Sequence, residues 1–102
     1  MLTRLAIFQG LVREGQEAAM RTYVEEVLAP LWRQFEGAED VRVMFAVEQD
    51  DGGPDIPLIL AITYPDRAAM TRALDSPARY ESRDLLPAFF ATYLDGSLHH
   101  YL

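Results

Sequence analysis

The sequence predicts an α+β sandwich, a four-stranded antiparallel sheet with its helices packed on one face. Two observations carry this. The chain reads in the order strand, helix, strand, strand, helix, strand, with apolar spacing that switches between period two and helical period. At 102 residues, half apolar and a quarter charged, it has the composition of one globular domain spanning 1–102, too short to add a separate cofactor domain.

The run from Thr3 to Gln9 is short, apolar and bounded by Gly10 and Gly15, as a strand is. From Gln16 to Glu36, the residues Met20, Val24, Val27, Leu28, Leu31 and Phe35 form one helical face. Pro30 lacks a backbone donor and crowds the preceding turn, so a kink is expected near Val27 to Ala29, with Gly37 as the stop. Val41 to Glu48 alternates with valine or phenylalanine at every odd position, the pattern of a strand. Asp50 to Asp55 is a turn cluster, and Ile56 to Tyr64 is apolar on both faces, as a central strand is. Asp66 caps the next helix, Ser76-Pro77 restarts it and Pro87 marks a further break. Phe89, Phe90 and Tyr93 fall at helical spacing, and Ser97 to Leu102 closes the chain as a short strand.

The simplest packing of these elements is a ferredoxin-like βαββαβ sandwich whose first and third strands are central. The edge strands then carry the charges Arg42, Glu48, His99 and His100. Alternation divides the strands into two faces. Leu5, Ile7, Val41, Val43, Phe45, Val47, Leu58, Leu60, Ile62, Leu98 and Leu102 are uniformly bulky and are expected under the helices. Arg4, Ala6, Phe8, Arg42, Met44, Ala46, Glu48, Ile59, Ala61, Thr63, His99 and Tyr101 form a mixed second face. A patch of that size left in water marks an interaction surface, and a second copy of the chain could cover it, sheet on sheet. The expectation is a homodimer with one pocket per subunit between the sheet and its partner.

Several segments then resemble those of a known group. Tyr23 to Leu31, followed by Gly37, is similar to the kinked first helix of small EthD-related proteins within the dimeric α+β-barrel superfamily. Tyr64 to Met70, Ala73-Leu74 and Asp84 to Phe89 resemble the second half of that family, whose pattern often has histidine where this chain has Leu28. The resemblance implies homodimerisation. It also implies, among the wider group's activities, a cofactor-independent oxygenase, isomerase or cyclase acting on an aromatic or polyketide-like carbonyl compound. The alternative is a non-catalytic small-molecule binding module or a structural dimer.

Composition removes other classes. There are nine basic residues against sixteen acidic ones, a net charge of -7, which argues against nucleic acid as a partner. All nine are arginine, so no Schiff-base or P-loop lysine exists, and the absence of cysteine removes thiol chemistry and thiolate metal sites. No apolar run approaches a membrane span and no signal-peptide pattern opens the chain, so a cytoplasmic protein without membrane contact is expected.

Among the titratable residues, His99 shares its strand face with Tyr101, Arg4 and Arg42, and histidine is the side-chain type suited to proton transfer at physiological pH, so it is the candidate general acid or base. His100 points the other way, as a packing or rim residue, and two histidines on opposite faces cannot grip one metal, so no metal or other cofactor is expected. Arg4 and Arg42 are the candidate anion or enolate contacts, with ion pairing across the dimer as the competing role. Phe8, Met44, Trp32 and Tyr101 are the candidate walls for an apolar or aromatic ligand, and core packing is the ordinary role for Trp32.

Overall fold

The structure, a computed structural model, describes residues 1–102. Strand β1 (Leu2–Val12) is followed by α1 (Glu17–Tyr23), a π-helical turn (Val24–Leu28) and α2 (Ala29–Trp32). Strands β2 (Asp40–Phe45) and β3 (Leu58–Tyr64) come next. Then come α3 (Arg67–Leu74), α4 (Pro77–Asp84), α5 (Leu86–Thr92) and β4 (Leu94–Tyr101). The strands form one antiparallel sheet in the order β2-β3-β1-β4, so the first and third strands are central as expected.

The expected kink is the π-helical turn. Pro30 has no N–H to return to the carbonyl four residues back, and the helix widens ahead of it until the Ala29 N–H donates to the Val24 carbonyl. The Arg33 N–H to Ala29 carbonyl bond, 2.9 Å, then restores ordinary spacing. Gly37 ends this region at φ +80°, and its position abuts Ala69. Asp66 caps α3 by accepting from the Ala69 N–H at 2.8 Å. Pro77 opens α4 and Pro87 lies at the start of α5.

Two strands run further than expected. Gly10, which in sequence reads as a strand boundary, instead faces Gly96 inside the β1–β4 ladder. A Cβ on Gly96 would lie 2.0 Å from the Gln9 carbonyl oxygen, and one on Gly10 would lie 2.3 Å from that of Asp95. The glycines let these strands cross in close contact and continue to Val12 and back to Leu94. Strand β2 is shorter than expected, and Val47 and Glu48 lie beyond it, exposed in the loop to β3.

The register corrects the face assignment of β1. Arg4, Ala6 and Phe8 pair with Ile62, Leu60 and Leu58, so this set, and not Leu5 and Ile7, lies under the helices. Phe8 is 1% exposed, with ring centroids 5.8 Å from Phe89, 6.1 Å from Phe90 and 6.3 Å from Trp32. Leu5 and Ile7 are half-buried on the open face, opposite Ala61 and Ile59. The other strands keep the expected sense. Val41, Val43, Leu60, Ile62 and Leu98 pack into or against the core, while Met44 and Tyr101 stand outward, 43% and 61% exposed.

Candidate functional site

The cavity lies between sheet and helices. Its floor is built by alternate residues of three neighbouring strands: Ala6 and Phe8 of β1, Leu60, Ile62 and Tyr64 of β3, and Leu98 of β4. Trp32 and Phe35 from the end of the first helical region form one wall. The other wall is Arg79, Ser82 and Arg83, at the i, i+3, i+4 spacing that puts residues on one face of α4, with Leu86 at the start of α5. Arg4 and His100 complete the lining. The cavity volume is about 70 Å³, room for roughly five waters.

The lining is mostly apolar with a few convergent polar groups, the usual make-up of a small-molecule site. Ser82 is buried and satisfied, its hydroxyl donating to the Arg79 carbonyl at 2.9 Å. Burial makes the Arg4 guanidinium easier to deprotonate, an effect that Tyr64 opposes, and burial raises the Tyr64 phenol while Arg4 opposes that. His100 keeps an exposed side chain, yet crowding by the protein, then the charges of Arg4 and Arg79 and the neighbouring His99, pushes it down to about 4. The imidazole is therefore neutral at pH 7 and can accept a hydrogen bond from a ligand.

A stability consequence follows. Between its unfolded value near 6.5 and about 4, His100 binds protons in the unfolded chain before it does so in the folded one. Its contribution is therefore intact above about pH 6.5 and is lost as the pH falls towards 4. Urea unfolding at pH 7 and at pH 5 checks this: His100→Gln is expected to lose less stability between the two than the wild-type chain does. An equal loss in both would show that His100 is not held neutral by its surroundings.

The seven residues singled out from sequence do not converge. Arg4, Phe8 and Trp32 line the cavity, and Trp32 is a full wall, 4% exposed. His99, Arg42, Met44 and Tyr101 lie on the open face of the sheet, outside the cavity. There His99 Nε2 is 3.1 Å from the Ser97 hydroxyl, and Arg42 Nε donates to Asp40 at 2.8 Å. Tyr64, Arg79, Ser82 and Arg83 were not foreseen, although the i, i+3, i+4 spacing of the last three is readable in the sequence. No group of histidine and carboxylate side chains in the structure is arranged to hold a metal ion, and no helix is long and apolar enough to cross a membrane.

The fold is the ferredoxin-like βαββαβ sandwich that the order of elements predicts. The chain is similar to an EthD family protein from Bacillus halodurans, at 18% identity and TM-score 0.72, over 100% of this chain and 98% of that one. It is also similar to a Deinococcus radiodurans protein assigned to the antibiotic biosynthesis monooxygenases, at 18% identity and TM-score 0.65, over 100% and 91%. A dimeric ferredoxin-like protein of unknown function from Jannaschia sp. CCS1 matches at 11% identity and TM-score 0.61, over 99% of both chains. At these identities the likeness concerns the fold, and it agrees with the resemblance read from the sequence. No protein-family model and no curated protein matches the chain.

Proposed function

We propose that the protein is a homodimer in which each subunit binds a small aromatic or polyketide-like carbonyl compound in the cavity between sheet and helices. The observation that carries this reading is the cavity itself: aromatic walls from Phe8 and Trp32, with Arg4 and neutral His100 at the same space. The open face supports the dimer. Leu5, Ile7, Ile59 and Ala61 form its apolar centre, and Met44 and Tyr101 extend it outward. A surface of this kind needs a cover, and a structural relative is described as dimeric. In such a dimer His99 and Arg42 belong to the sheet interface, as packing and ion-pairing residues.

Conversion of the ligand is a second reading, favoured by Arg4 and His100 lining one cavity. The His100 ring nitrogen would take a proton from the carbon next to the carbonyl, the C–H electron pair would pass to the carbonyl oxygen, and Arg4 would hold the enolate. Such a step needs no bound cofactor. Basicity as low as that of the empty site makes His100 a weak base, which ranks binding ahead of catalysis.

Trp32 is the only tryptophan and stands in the cavity wall, so its emission reports directly on occupancy. Titration with acetophenone, a neutral aromatic ketone, is expected to change Trp32 emission saturably and to raise the melting temperature. Emission unchanged up to the solubility limit of the ketone would overturn the binding reading. Deuterium entering the acetophenone methyl group in D₂O, and ceasing in His100→Gln, would add the proton-transfer step. The absence of exchange would remove that step alone.

A further inference from the structure

The charge of the cavity does not follow the charge of the chain. Acidic residues outnumber basic ones sixteen to nine. Yet the cavity is lined by three arginines, Arg4, Arg79 and Arg83, and by no aspartate or glutamate. Arg4 and Arg79 have no carboxylate within ion-pairing distance, whereas Arg21 and Arg42 on the outer surface each have one. Arg83 reaches only its exposed neighbour Asp84, at 3.6 Å.

Arg4 and Arg79 are half-buried without counter-ions, which is costly, and an arriving anion offsets that cost; Arg83 is exposed. Two of the three are also held in place from outside. Tyr80 lies on the outer side of α4 with the Arg79 and Arg83 guanidinium carbons 5.6 and 4.9 Å from its ring centre, and its hydroxyl donates to Asp75. Asp75 thus anchors the aromatic ring that both arginines rest on, without entering the cavity itself.

We infer that the natural ligand is an aromatic carboxylate, its ring against Phe8 and Trp32 and its carboxylate on Arg4 and Arg79, with Arg83 at the rim. This rests on the cavity reading above and specifies the class of compound. Arg79 is the specificity-determining residue most open to test, since it lies on a surface helix and its removal leaves the core intact.

The experiment compares two ligands of one shape, 3-phenylpropanoate and 3-phenylpropanamide, by Trp32 emission. The carboxylate is expected to bind at least tenfold more tightly than the amide. Arg79→Gln is expected to reduce that preference about tenfold by weakening the carboxylate more than the amide, and Arg79→Lys to restore part of it. Equal affinities for acid and amide would overturn the anion inference and leave the cavity reading standing. Silence from both ligands, together with acetophenone, would overturn both. Equal weakening of the two ligands in Arg79→Gln would show that Arg79 shapes the cavity without reading charge, and would also overturn the inference.

Discussion

Phe8→Ala is expected to cost about 3–5 kcal/mol of subunit stability, the range for removing a large ring from a packed core. Phe8 is essentially unexposed and touches Trp32, Phe89 and Phe90, rings that reach it from both helical regions. Truncation removes contacts with both helical regions at once, and the cavity that Phe8 lines grows instead of collapsing. Urea unfolding measures the loss, and sedimentation should show the association state unchanged. Had Phe8 been on the open face, where alternation alone placed it, the same substitution would weaken association and spare the subunit. That outcome would show the β1 register to be wrong.

The second large effect falls on the neighbouring residue. Ile7 sits at the centre of the open face, between Ile59 on β3 and His99 on β4. Ile7→Asp would bury an unpaired carboxylate in the sheet-on-sheet interface at a cost of several kcal/mol, so dimer affinity should fall by at least about a hundredfold. Because Ile7 is only half-buried within its own subunit, the variant should keep its circular dichroism spectrum. Sedimentation velocity at micromolar concentration is expected to show a dimer for the wild type and a monomer for the variant. A monomeric wild type, or a variant as dimeric as the wild type, would contradict the dimer. Two adjacent residues of one strand are therefore expected to act on separate quantities, folding for Phe8 and association for Ile7.

That same pair shows where the sequence stopped being informative. A strand face can be read from alternation only when its two sides differ, and in β1 both sides are apolar: Leu5 and Ile7 on one, Ala6 and Phe8 on the other. Arg4 tipped the reading towards the wrong side, because a long side chain at the edge of a cavity looks in sequence like one in water. In β2, where valine alternates with Arg42 and Met44, the assignment was correct. Local chemistry was equally legible at Pro30, Asp66 and Pro77, where a missing donor or a capping carboxylate acts within a few residues. Gly10 reads in sequence as a strand boundary because its role is a close contact with the distant Gly96, which neither glycine displays alone. The cavity escaped for the same reason. Its residues come from three strands and two helical regions, and no pattern within one element shows which of them meet.

Ligand is expected to enter the space under the helices and not to bind on the open face of the sheet. Intermolecular nuclear Overhauser effects from the ring protons of bound 3-phenylpropanoate test it most directly. Contacts to the Phe8 ring, the Trp32 indole and the Leu60 methyl groups are expected. Contacts to Ile7, Ile59 or Tyr101 in their place would contradict it and move the site to the open face.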